Sequence, residues 1–159
     1  MFDPRRLIFI HGSDSSSQTY KASVLRQLYP QMVTPDFTGE LHQRMDQLKA
    51  ILGKERGWTI VGSSLGGLMG AKYTCRYPVR VRKLVLLAPA LLILLSEPLP
   101  SPVDVPVVLI HGTQDEVVDP RPVRELAEQL FPRLKYISVD DDHRLHKTAD
   151  ELDWESLLA

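Results

Sequence analysis

The feature that most constrains this chain is a regular alternation of two kinds of segment. Four short runs, residues 7–11, 59–61, 84–87 and 107–111, are rich in β-branched residues or leucine and are bounded by Gly, Pro, Ser or Asp. Apolar runs of this length without polar alternation suit strands that are covered on both faces. Two weaker runs join them: 31–34, stopped by Pro35, and 134–139, which alternates as an edge strand does. Between the runs lie amphipathic segments of helical length at 18–29, 41–54, 65–77, 122–131 and about 147–158. Strand and helix in turn call for right-handed crossovers, which give an α/β fold with a mainly parallel sheet and helices on both faces.

The chain has 159 residues, 43% of them hydrophobic, which suits one domain spanning 1–159. Nineteen Lys and Arg against twenty Asp and Glu leave a net charge of −1, so no basic footprint points to nucleic acid. Cys75 is the one cysteine; there is no disulfide framework, and a reducing, cytoplasmic setting is expected. Inside a helix with no basic neighbour placed to activate it, Cys75 reads as an inert thiol. The apolar run near the start is too short for a signal-peptide core, and the stretch 84–95 is too short for a membrane span and is interrupted by Pro89.

Function is carried first by Trp58-Thr59-Ile60-Val61-Gly62-Ser63-Ser64-Leu65-Gly66-Gly67. An apolar strand runs into GxSxG and then into an amphipathic helix, which is the context a nucleophile elbow requires. The tight turn projects Ser64, and flanking glycines remove side chains that would strike the neighbouring backbone. A serine that merely caps a helix is the plainer alternative, and the joint presence of strand, turn and helix disfavours it. The spacing of Gly62, Gly66, Gly67 and Gly70 gives neither GxGxxG nor a P-loop.

A serine hydroxyl needs a base, and the base needs an orienting acid. Downstream come His111-Gly112-Thr113-Gln114-Asp115-Glu116-Val117-Val118-Asp119 and then Asp140-Asp141-Asp142-His143-Arg144-Leu145-His146. Asp115 competes with Glu116 and Asp119 for the acid's place, and His143 with His146 for the base's; Asp115 and His143 are preferred. The acidic cluster at 140–142 with its two histidines is a weak metal motif, because neighbouring carboxylates in a loop stay solvated or cap the next helix. His11 and His111, each before a glycine at a strand end, read as structural. His42 reads as exposed, and Trp58 and Trp154 as packing residues.

Together these segments resemble the α/β-hydrolase superfamily, especially its small, capless, esterase-like members. The likeness rests on His11-Gly12-Ser13 after the first strand, on GSSLGG around Ser64, and on HGTQDEVV with the later DDHRL. It spans nearly the whole chain. It implies a three-layer sandwich with six strands in the order 2-1-3-4-5-6 and no cap domain. It implies Ser64 as nucleophile, Asp115 as acid, His143 as base, and the backbone N–H groups of Ser13 and Leu65 as oxyanion hole, with no cofactor and no metal. The loop at 11–17 departs from the glycine-rich form HGGG, and no lid is visible before residue 107. An open site for a small-molecule acyl substrate, an ester or thioester, follows, with an acyl-facing wall expected from the apolar loop at 91–95. The rival expectation is a non-catalytic protein of the same fold that binds a ligand or partner.

Overall fold

In the computed structural model, which describes residues 1–159, the apolar runs form β1 (Leu7–Ile10), β2 (Trp58–Ser63), β3 (Val81–Leu87), β4 (Val107–Gly112) and β5 (Leu134–Val139). They make one sheet in the order β1-β2-β3-β4-β5, and every pairing is parallel. The sixth strand, expected at 31–34, does not form. It shrinks to a single bridge in which Val33 lies beside Ile8, with the Phe9 N–H donating to the Val33 carbonyl at 3.0 Å and the Val33 N–H to the Leu7 carbonyl at 2.8 Å. Pro30 and Pro35 flank it, and neither has an N–H to extend a ladder. The bridge sits next to β1, where the order 2-1-3-4-5-6 puts its second strand.

The amphipathic segments form α1 (Tyr20–Leu28), α2 (Leu41–Leu52), α3 (Leu65–Arg76) and α4 (Pro120–Leu130). The C-terminal segment, expected as one helix, is two: α5 (His146–Glu151) and α6 (Trp154–Leu158). Leu152 turns extended, and the Asp153 carboxylate accepts the Ser156 N–H and starts a new helix. The break lets Trp154, Leu157 and Leu158 reach the core.

Side chains alternate along each strand, so the sheet carries a core on both faces. On one, Ile8, Ile10, Ile60, Leu84, Leu86 and Leu109 pack with α2, α3 and α4. On the other, Phe9, Val61, Val85, Leu87, Val108 and Ile110 meet α1, α5 and α6. Each fully buried aliphatic side chain contributes about 1.5–3 kcal/mol of transfer free energy. Trp58 and Trp154 are buried packing residues whose indole N–H groups donate to the Leu52 and Ala149 carbonyls.

Between β3 and β4 there is no inserted domain, only a 3-10 turn at Leu91–Ser96. The expectation that this apolar loop lines the crevice is overturned. Leu91 and Leu94 are buried in the core shared with α3 and α4, since leucines spaced three apart on a 3-10 turn share one face. No helix is long and apolar enough to cross a membrane.

Close approach at the end of β1 sets the position of α3. A Cβ at Gly66 would stand 2.0 Å from the Ile10 carbonyl oxygen, and one at Gly62 would stand 2.3 Å from the Gly66 carbonyl oxygen. Backbone cannot yield as a side chain does. Gly66→Ala should therefore lower the unfolding free energy by about 3 kcal/mol or more. Gly12→Ala, whose Cβ would meet the Ser64 Cβ at an ordinary 3.5 Å, should cost under about 1 kcal/mol. Urea denaturation of the two variants reads the difference, and equal midpoints would contradict the account.

Candidate active site

Ser64 sits between the end of β2 and the start of α3 with φ of 54° and ψ of −114°. A non-glycine residue in this region is strained and persists only where the surroundings over-determine it. Here they do. The Ser64 N–H donates to the Leu87 carbonyl at 3.0 Å, and the Ser64 carbonyl accepts from Gly67 at 3.0 Å, Leu68 at 3.2 Å and Ala90 at 2.9 Å. The hydroxyl is left to project into the crevice at the carboxyl ends of the strands.

The loop after β5 brings His143 to it. His143 Nε2 lies 3.2 Å from Ser64 Oγ, and His143 Nδ1 lies 2.7 Å from Asp115 Oδ2. This loop approaches because Gly112 has no side chain: a Cβ there would stand 2.3 Å from the Asp141 carbonyl oxygen. The Gln114 N–H donates to that carbonyl at 3.1 Å, and Asp141 Oδ2 accepts from the Thr148 N–H and hydroxyl at the start of α5. The expected competitors lie elsewhere. Glu116 is exposed, Asp119 caps α4, and His146 stacks on Tyr20 with ring centroids 4.5 Å apart.

Asp115 is buried, and its carboxylate is fully committed. Oδ1 accepts the N–H groups of Val117 and Val118, both at 2.8 Å. Oδ2 takes His143 and also His111, whose Nε2 stands 3.0 Å away. Burial pushes the Asp115 carboxyl up, but the hydrogen bonds from Val118, His143 and Val117 outweigh it and hold the group below the usual carboxylate range.

His111 is a residue whose part in the site sequence reasoning missed. It is fully buried on β4, and both neighbours of its Nε2, Asp115 Oδ2 and the Val118 carbonyl oxygen at 3.1 Å, are acceptors. The hydrogen is therefore on Nε2, and Nδ1 is bare and without a partner. Burial pulls the His111 pKa down against the pull of Asp115, so the ring is a neutral donor that shares the carboxylate with His143.

Arg44 is the second residue missed. It is buried on α2, and its guanidinium donates to the carbonyls of Gly39 at 2.8 Å, Gly12 at 3.4 Å and Ser13 at 3.1 Å. His11 Nδ1 holds the Gly12 carbonyl at 2.7 Å, while its Nε2 accepts the Phe37 N–H at 2.9 Å. The 12–13 loop is thus clamped by its carbonyls. Its Ser13 N–H, like that of Leu65, donates to no group in the protein. The signal for Arg44 was in the sequence, since it occupies the same helical stripe as the buried Leu48 and Leu52.

Cys75 is half-buried in α3, and burial pushes its thiol up to about 11. His42 is exposed.

Comparison with known proteins agrees with this architecture. The family model described as alpha/beta hydrolase fold matches residues 11–105. A cis-3-alkyl-4-alkyloxetan-2-one decarboxylase of Shewanella oneidensis is 30% identical over 100 residues, covering 51% of this chain and 31% of the relative. The chain thus spans about a third of the length of the curated relative it matches. Among solved structures, mouse alpha/beta hydrolase domain-containing protein 10 superposes with a TM-score of 0.78 at 22% identity, covering 96% of this chain and 86% of the other. A thioesterase domain from the curacin biosynthetic pathway gives 0.74 at 14% identity, with 98% and 92% covered. At these identities the likeness is one of fold.

Because the folded-state pKa of Asp115 is lowered, its ionised form contributes stability above the unfolded value, and that contribution is lost as pH falls through the folded one. The gap in unfolding free energy between the wild type and Asp115→Asn should be widest near neutrality and should narrow below about pH 4. His111→Leu should cost about 1–3 kcal/mol, because Asp115 loses a donor that no water can replace. Urea denaturation across pH reads both, and a pH-independent gap would contradict the first.

Proposed function

Since the chain belongs to the alpha/beta hydrolase fold family, we propose that it is a serine hydrolase that cleaves a carboxylic ester or thioester through an acyl-enzyme on Ser64. The observation that carries this reading is the unbroken chain of hydrogen-bond contacts from Ser64 Oγ to His143 at 3.2 Å and on to Asp115 at 2.7 Å. Its order and lengths suit a nucleophile, a base and an orienting acid.

In this mechanism Ser64 Oγ attacks the substrate carbonyl while His143 Nε2 takes the hydroxyl proton. The carbonyl π pair moves onto oxygen, where the N–H groups of Ser13 and Leu65 meet it. Collapse of the tetrahedral intermediate breaks the bond to the alcohol or thiol, which leaves with the proton from His143. Water then attacks the acyl-enzyme by the same route, giving the acid and restoring Ser64. Asp115 keeps its charge throughout. It holds His143 in the tautomer with hydrogen on Nδ1 and stabilises the imidazolium as it forms. No step calls for a cofactor or a metal ion. We place the action in the cytoplasm, in keeping with a chain that has one cysteine and no disulfide.

A fluorophosphonate probe tests the reading. Labelling should map to Ser64, be absent in Ser64→Ala, and slow by about 10³-fold or more in His143→Ala. A folded protein that takes no label at any pH would favour a non-catalytic binding protein instead.

A further inference from the structure

We propose that the crevice beside Ser64 selects a short, polar acyl substrate bearing a second, anionic group, a carboxylate, which Lys21 and Arg144 receive. The inference rests on Ser64 being the nucleophile, and it names the class of substrate.

The crevice encloses about 550 Å³, a volume suited to a small molecule. Its lining residues are mostly of polar or charged type. Phe9, Tyr20 and Val117 are the only apolar or aromatic contributors, and the rest are serines, threonine, glycine, histidines and charged residues. The crevice offers one aliphatic side chain, Val117, for a long alkyl chain to bury against. The apolar turn at Leu91–Ser96 supplies no such wall: Leu91 and Leu94 are packed into the core, and no residue of the turn lines the crevice.

Cations outnumber carboxylates on this lining. Lys21 and Arg144 both face the crevice, while Asp14 is the one carboxylate among its lining residues. Neither cation is in an ion pair, although the protein forms such pairs elsewhere, as between Lys72 and Glu97. The nearby acids are engaged otherwise. Asp142 Oδ1 accepts the Arg144 N–H, and Asp141 accepts from Thr148 and from the Asp142 N–H. Lys21 Nζ donates to the Arg144 carbonyl at 2.6 Å. That bond ties the ammonium to the residue after His143 and leaves two of its three N–H groups for a ligand.

Lys21 is half-buried. Burial lowers its pKa to about 8, against the attraction of Asp142 and Asp141 and with the repulsion of Arg144. A cation held partly out of water and without a carboxylate partner is stabilised by an incoming anion more than a solvated lysine is. Arg144, exposed on the same rim, adds a planar donor set suited to a carboxylate.

The test compares two 4-nitrophenyl esters of matched length, the pentanoate and the glutarate hemiester, which carries a terminal carboxylate. At pH 7 and low salt the wild type should favour the hemiester in kcat/KM by about tenfold, and the preference should shrink as ionic strength rises. Lys21→Met and Arg144→Gln should each reduce that ratio. A merely structural tether between Lys21 and the His143 loop would lower both substrates alike and leave the ratio unmoved. Arg144→Gln alters an exposed side chain, so it keeps the test open if Lys21→Met fails to fold.

The preference should also fall as pH rises through about 8, where Lys21 loses its proton. The groups around the ammonium in that range are Asp141, Asp142, His143, Arg144 and His146 from the loop after β5 and the start of α5, Asp14 from the loop after β1, and Tyr20 beside it, which is hydrogen-bonded to Asp150. A wild type that turns over the pentanoate as well as the hemiester, or variants that keep the full ratio, would overturn the proposal while leaving Ser64 as nucleophile. Turnover of neither ester, with no acylation of Ser64, would overturn both.

Discussion

The left-handed backbone at Ser64 is the constraint on which the rest of the crevice depends. A residue with a side chain at φ of 54° is held there by four backbone hydrogen bonds, one given and three accepted. Two of those bonds close the first turn of α3, and α3 lies close to the end of β1 because Gly62 and Gly66 present no side chain where carbonyl oxygens stand. The bonds run to three elements: Leu87 at the end of β3, Ala90 beyond it, and the first turn of α3. Strain at one residue is thereby distributed over the packing of the sheet, which fixes the hydroxyl in place at the crevice.

The same device recurs on the other side of the crevice. Gly112 lets the loop after β5 rest against the end of β4, and that contact brings His143 between Ser64 and Asp115. Asp115 is then saturated by two backbone N–H groups and two imidazoles. A buried carboxylate with every strong acceptor position used has little freedom to rotate, so it can orient a histidine rather than follow it. On the third side Arg44 and His11 hold the carbonyls of the 12–13 loop beside the crevice. Ser64, His143 with Asp115, and the 12–13 loop are therefore fixed by three separate anchors, each reaching back into the core.

Much of the fold is legible in the sequence because parallel strands covered on both faces leave long, unbroken apolar runs. The run at 31–34 misleads because its composition is right for a strand, but the two prolines flanking it supply no N–H and leave a single bridge. The C-terminal helix misleads for another reason: its apolar period continues through Leu152 and Trp154, and only the capping of Ser156 by Asp153 breaks it. For the site, GxSxG between a strand and a helix marks Ser64, and the order of acid and histidine after it narrows the choice to Asp115 and His143. His111 escapes notice because a histidine before a glycine at a strand end has the same appearance whether it packs or donates. Arg44 could have been noticed as a charge on an apolar stripe. The polar lining of the crevice could not, since it assembles from loops distant in the chain.

The central claim is that Ser64 becomes covalently acylated during turnover. The most direct measurement is acid quench and peptide mapping of the protein during hydrolysis of 4-nitrophenyl trimethylacetate, whose hindered acyl group leaves an enzyme slowly. The account predicts an acyl group of the expected mass on the peptide containing Ser64, and none in Ser64→Ala. Hydrolysis that leaves this peptide unmodified while an acyl group accumulates elsewhere, as on Cys75, would contradict it.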